Sequence, residues 1–240
     1  IKSILSRRGY ALIKDKVSFK ELHKAKKDLT VSPFVNDDYA AKPLPFPVFL
    51  ESVRKIYLPR HYGLEHFGEP DKVKDLDKSY DIDLTFNGSL RENQLKPVNS
   101  FLDSCKPGTY TAKSNGGVLS LPCGYGKTIC SLYILSKLGK KTLIVVHKEF
   151  LMEQWKERIS EFLPEARVGK IQQKKVDIKN KDIVIAMLQS LSMKNYPLEI
   201  FDDFGFGIID ECFPADTHII TNDGNYSIYK LYNIWINKKP

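Results

Sequence analysis

Two short stretches of this chain carry residue types suited to phosphate chemistry. The first is Leu121-Pro-Cys-Gly-Tyr-Gly-Lys-Thr128. Glycines in such a loop let consecutive backbone N–H groups turn inward around phosphate oxygens, and a helix beginning there adds its positive end. Lys127 can then reach the β- and γ-phosphates of a triphosphate, and the Thr128 hydroxyl can ligate Mg²⁺. The common pattern GxxxxGK[ST] has glycine where this chain has Leu121. A glycine-rich connecting turn with a solvent lysine would read alike in isolation, so the flanking elements must decide. The second stretch is Ile208-Ile-Asp-Glu211, an apolar run ending in adjacent carboxylates. Asp210 can hold Mg²⁺ directly or through water, and Glu211 can orient and deprotonate an attacking water. Paired acids at a strand end also commonly just begin a loop.

Positioning these groups requires strands that end where the loops begin. Val118–Leu121, Thr142–Val146, Asp182–Ala186 and Phe206–Ile209 are nearly all-apolar runs of strand length, as expected of parallel strands covered on both faces. Between them, Ile129, Leu132 and Tyr133 recur at helical spacing before Gly139, an expected C-cap. Leu151, Trp155, Ile159 and Phe162 do the same before Pro164, which places Trp155 on a core-facing stripe. The alternation predicts an α/β fold with a doubly wound parallel sheet and ligands at the carboxyl ends of its strands.

Composition sets the boundaries of this reading. Apolar residues make up 42% and charged residues 28%, an ordinary balance for a chain that buries a core. No apolar run approaches the roughly 20 residues of a membrane span. The chain opens on Ile1 without a signal-like segment, which suggests a fragment of an intracellular protein, cytoplasmic or of a viral factory. Cys105, Cys123, Cys130 and Cys212 show no CxxC spacing, so structural zinc is not expected. The formal charge is +8, and the first sixty residues hold 13 Lys and Arg against 6 Asp and Glu. That excess suits either a phosphate backbone or a merely solvated surface. Residues 1–83 are expected to form a small mixed α+β module, 84–211 the α/β domain.

A Pro-x-Gly-x-Gly-Lys-Thr loop without the leading glycine resembles motif I of superfamily 2 helicases, whose other motifs can then be sought in order. Leu90-Arg-Glu-Asn-Gln94 resembles the element that opens the ATPase lobe of DNA-repair and viral members, with Gln94 at the adenine edge and Arg91 beside it. Thr142–Trp155 is similar to motif Ia, and Ile183–Leu191 to the next strand and loop. The resemblance makes His147, Lys148, Gln189 and Ser190 contacts to nucleic acid. It makes Pro122, Cys123, Gly124, Tyr125, Gly126, Lys127 and Thr128 the ATP cradle, and Thr128 and Asp210 the Mg²⁺ ligands. Closest are helicases of large nucleocytoplasmic DNA viruses, which implies a RecA-like P-loop lobe with helices on both faces. ATP and Mg²⁺ are the implied cofactors and nucleic acid the partner, DNA rather than RNA. A second RecA-like lobe would have to complete the site. Two alternatives stand beside this reading: self-splicing or cleavage at Glu211-Cys212 as the main activity, and a nucleotide-binding regulator or small-molecule kinase with the same loop.

After Glu211 the sequence reads Cys212-Phe-Pro-Ala-Asp-Thr-His-Ile-Ile-Thr-Asn-Asp-Gly224, then Ile228 and Leu231. This resembles the opening block of an intein, which implies a short β start over 212–240 and Cys212 as splicing nucleophile. The other reading is the Cys of a DECH-type box followed by a divergent loop.

Overall fold

The computed structural model describes residues 1–32, 44–74, 76, 79–106, 115–122 and 124–210, with the backbone of 218–221 and 224–227. Cys123, Glu211 and Cys212 lie outside them.

The N-terminal part is built on β1 (Ser3–Ser6) and β2 (Gly9–Ile13), a hairpin in which Ser6 pairs with Gly9 and Arg7-Arg8 form the turn. Gly9 sits at φ +98°, where a Cβ would lie 2.4 Å from the Leu58 carbonyl oxygen. Helix α1 (Phe19–Asp28) starts from a capping box: Ser18 Oγ accepts the Glu21 N–H, and the Glu21 carboxylate accepts the Ser18 N–H. Then follow β3 (Thr30–Val31) paired with β4 (Phe46–Pro47), β5 (Leu50–Glu51), β6 (Lys55–Leu58), α2 (Arg60–Phe67) and β7 (Lys72–Val73). The sheet order is β5-β6-β2-β1-β7, antiparallel except for β1 with β7. Leu5, Tyr10, Leu12, Ile56 and Leu58 form a core with Ala25, Leu29 and Leu64. Gly63 lets α2 approach so closely that a Cβ there would fall 2.2 Å from the Tyr10 ring.

The second part comprises α3 (Glu92–Ser104), α4 (Lys127–Leu138), β8 (Thr142–Val146), α5 (Glu149–Phe162), β9 (Val168–Gln172), β10 (Lys175–Asp177), β11 (Ile183–Met187), α6 (Leu188–Met193) and β12 (Phe206–Ile209). Its sheet runs β10-β9-β11-β8-β12, parallel except for β10 at the edge. The predicted α/β class with a parallel sheet is what forms. Strand β11 is buried on both faces, and its period-2 alternation divides the cores. Ile183 and Ile185 join Leu132, Leu135, Leu151, Trp155 and Ile159 of α4 and α5, while Val184 and Ala186 meet Leu191, Tyr196, Ile200 and Phe201 on the other face. Gly139 ends α4 at φ +58° as its C-cap. Beyond Asp210, β13 (His218–Thr221) and β14 (Gly224–Ser227) form a separate hairpin.

One predicted strand does not form. Val118–Leu121 lies outside every ladder. Leu119 and Leu121 instead pack against Val98, Cys130 and Ile134 between α3 and α4. The helices partly bury these two leucines without a strand partner, while Val118 is 71% exposed. The two parts meet where Arg7 donates to the carbonyls of Asp202 and Phe204, and where Tyr80 bridges Asp203 and Lys141 through backbone hydrogen bonds of 2.8 Å.

Asp182, 5% exposed, fastens the entrance of β11 to Arg167 ahead of β9. Its carboxylate accepts the Arg167 backbone N–H at 2.8 Å and the guanidinium at 2.9 and 2.6 Å. Burial pushes this carboxyl up, but the Arg167 hydrogen bonds outweigh it and hold the group below the usual carboxylate range. A depressed folded-state pKa stabilises above the unfolded value of roughly 3.9, and that contribution fades as pH falls through the folded value. Asp182→Asn is expected to lose about 1–3 kcal/mol at pH 7 in urea denaturation. The gap to wild type should narrow below about pH 4.

Candidate nucleotide site

The loop before α4 is shaped by two glycines in the left-handed region, Gly124 at φ +78° and Gly126 at φ +80°. Gly126 is also the N-cap of α4, and a Cβ there would sit 2.7 Å from Gln94 Nε2. Only glycine satisfies both the dihedral and the space. Gln94, 2% exposed near the start of α3, accepts the Arg91 N–H at 2.8 Å through Oε1 and donates from Nε2 to the Tyr125 carbonyl at 2.7 Å. The side chain expected at an adenine edge here ties α3 to the glycine loop, with both ends of its amide engaged. Lys127 Nζ donates to the carbonyls of Leu121 at 3.0 Å and Pro122 at 3.4 Å, so the ammonium lies over the loop. Thr128 follows in the first turn of α4, half-buried.

Topology decides where this loop faces. Helix α4 ends at Gly139 and β8 starts at Thr142, so α4 folds back along the sheet and its N-terminus lies toward the carboxyl end of β8. Strand β12 is parallel to β8, pairing Phe206 with Thr142 and Ile209 with Val145, and the Asp210 N–H continues the ladder to the Val145 carbonyl. Asp210 therefore leaves the sheet at the same edge. Trp155 of α5, 2% exposed, donates its indole N–H to Asp210 Oδ2 at 2.8 Å. Its stripe position put it in the core, and it is there; the contact to the carboxylate was not legible in the sequence.

The neighbouring strand ends also converge. Gln189 Nε2 donates to the His147 carbonyl at 2.7 Å, joining the loops after β8 and β11. His147 is half-buried with its Nδ1 unpartnered among the described residues, and Lys148 is exposed with Nζ 6.0 Å from the Phe150 ring centroid. Ser190 departs from expectation: it is 7% exposed and its Oγ accepts the Gln173 N–H at 2.9 Å. That hydroxyl secures the β9–β10 turn and does not face a strand outside. Among the described residues no cluster of three or more His, Cys, Asp or Glu could hold a metal, and no helix is long and apolar enough to cross a membrane.

A family profile described as type III restriction enzyme, res subunit, matches residues 87–228, more than half of the chain. The chain belongs to this family. Within the res-subunit match lie both the glycine loop and Asp210, and it extends past Cys212. A protein of Acanthamoeba polyphaga mimivirus named as an ATP-dependent RNA helicase is 39% identical over 215 residues, covering 88% of this chain and 40% of the relative. One of Invertebrate iridescent virus 6, named as a helicase, is 28% identical over 54% of this chain and 29% of its own length. An African swine fever virus protein named as an ATP-dependent RNA helicase is 30% identical over 46% of this chain and 21% of its own. The chain thus spans well under half of the relatives it matches. A solved structure of a Sulfolobus solfataricus SWI2/SNF2 ATPase core with dsDNA matches at TM-score 0.39 and 18% identity, over 56% of this chain and 33% of that one.

A buried indole donor fixes the direction of a carboxylate at little entropic cost, because the ring itself is held by packing. Trp155→Phe keeps the packed ring and removes the donor. With Asp210 as the Mg²⁺ ligand that the motif resemblance implies, it is expected to weaken Mg²⁺-dependent nucleotide binding by roughly tenfold, read with a fluorescent ATP analogue titrated at several Mg²⁺ concentrations. Binding without Mg²⁺ should change little.

Proposed function

We propose that this chain is the ATP-binding lobe of a nucleic-acid helicase or translocase, working with a second RecA-like lobe. The observation that carries the proposal is the shared edge. A loop held open by two left-handed glycines at a helix N-terminus stands at the same carboxyl end of the sheet as Asp210. Loop amides and the positive end of α4 would bind the phosphates, and Lys127 would exchange its carbonyl partners for phosphate oxygens. The Thr128 hydroxyl and the Asp210 carboxylate are hard oxygen donors of the kind Mg²⁺ takes, and Trp155 aims the carboxylate. When bound, Mg²⁺ would neutralise charge on the β- and γ-phosphate oxygens. Glu211 would accept the proton of the attacking water. His147, Lys148 and Gln189 would touch the strand being tracked.

The strand is DNA on the motif resemblance, whereas two of the viral relatives are named for RNA; DNA and RNA arms of one assay separate them. The chain should bind ATP–Mg²⁺, and Lys127→Ala should weaken this at least tenfold, as loss of a charged hydrogen-bond donor implies. Hydrolysis by the chain alone should be low and barely stimulated by nucleic acid. Robust unwinding without a second lobe would overturn the proposal, as would nucleotide affinity indifferent to Lys127.

A second activity is favoured by the order Cys212, Asp216-Thr217 and the hairpin of His218–Thr221 with Gly224–Ser227. In an intein the Cys212 sulfur attacks the Glu211 carbonyl carbon, the peptide C–N bond breaks, and the freed Cys212 amine takes up a proton as the thioester forms. Incubation with a thiol should then release a fragment ending at Glu211, visible by mass spectrometry and absent in Cys212→Ala. An intact chain after prolonged incubation would sink this second activity and leave the first.

A further inference from the structure

The N-terminal sheet packs one face into its core, and the other is a partly covered surface on which Ala11 is 3% exposed and its neighbours are half-buried. Along β1, β2 and β6, the residues alternating with the core set are Ile4, Ser6, Ala11, Lys55 and Tyr57. These residues line a cleft of about 510 Å³, closed on its far side by Asp202 and Asp203. Ile4, Ala11 and Tyr57 are consecutive cross-strand partners, so the small Ala11 makes a floor between two larger side chains. Around this floor stand Arg7, Arg8, Lys55 and Lys74.

Charge bookkeeping favours an anion. Arg7 is held by the backbone carbonyls of Asp202 and Phe204, neither of which is an anion that would offset it. Asp203 is countered by Lys141 at 3.3 Å. Arg8 and Lys74 are exposed, Lys55 is half-buried, and none of the three has a side-chain partner among the described residues. Four cations thus face two carboxylates, one of them already paired. Tyr57 is half-buried and stacks on no other aromatic ring among the described residues. A cleft on a sheet face with an unstacked aromatic ring and surrounding cations is an arrangement that can stack an unpaired base while holding its phosphates.

We infer that this cleft binds a short stretch of single-stranded nucleic acid, with Tyr57 stacking a base and Arg8, Lys55 and Lys74 holding the backbone. This deepens the nucleic-acid side of the proposed function and rests on it. The contact lies on the N-terminal sheet, away from His147, Lys148 and Gln189, and so gives the lobe a second hold on its strand.

The test uses fluorescence anisotropy of the full chain with labelled single-stranded DNA, single-stranded RNA and duplex, across a salt series. Arg8→Ala and Lys74→Ala change exposed side chains and serve where Tyr57→Ala compromises folding. Tyr57→Ala should weaken single-strand binding roughly tenfold and Tyr57→Phe hardly at all. The double substitution of Arg8 and Lys74 should lower the logarithmic salt slope by roughly 0.7 per cation removed. ATP-analogue binding and the melting temperature should not move in either exposed variant. Unchanged single-strand affinity in these variants, with a loss on Lys148→Ala, would overturn the cleft and leave the proposed function standing. Equal dependence of duplex binding on Tyr57 would overturn the single-strand assignment. No binding of any oligonucleotide by the wild-type chain would overturn both.

Discussion

Everything at the candidate site depends on the parallel pairing of β8 with both β11 and β12. Parallel register sends the carboxyl ends of neighbouring strands to one edge, so the loops after Val146, Met187 and Ile209 emerge side by side. Because α4 runs back along the same sheet, its N-terminus and glycine loop are delivered there as well. His147, Gln189 and Asp210 are separated in the chain, and the parallel register brings the strand ends that precede them to one edge. Burial on both faces enforces the register: a one-residue slip of β11 would send Ile183 and Ile185 to the opposite core.

Polar contacts then refine what the sheet assembles. Gln94 spends its carbonyl on the start of α3 and its amide on the glycine loop, so the geometry of that loop is coupled to α3. Trp155 links the packing of α5 to the direction of the Asp210 carboxylate. Gln189 performs the same service for the turn at His147. In each case a side chain from one element, buried for Gln94 and Trp155 and exposed for Gln189, satisfies a group at the end of another. Such contacts order a site without adding to its chemistry.

The N-terminal module is joined to this arrangement by the β1–β2 turn. Arg7 at the turn docks on the carbonyls that lead into β12, while Arg8 beside it remains exposed. One short turn therefore anchors the module and contributes charge to the cleft. Asp202 and Asp203, just ahead of the strand that leads to Asp210, also line that cleft.

The sequence by itself determined the elements and their chemistry. Apolar runs of strand length located β8, β11 and β12, a 3.6-residue stripe located α4 and α5, and the spacing around Lys127 and Asp210 named the phosphate-binding candidates. Such periodicities are local and survive in a one-dimensional reading. What only the tertiary structure decided was partnership. Leu119 and Leu121 of the Val118–Leu121 run pack between helices in no ladder, Ser190 turns inward to Gln173, and Trp155 gives its N–H to Asp210. The cationic face of the N-terminal sheet was equally hidden, because Arg8, Tyr57 and Lys74 come together only through strand order. A sequence states what a residue can bond to. Which group lies within 3 Å of it is set by long-range packing that no local spacing encodes.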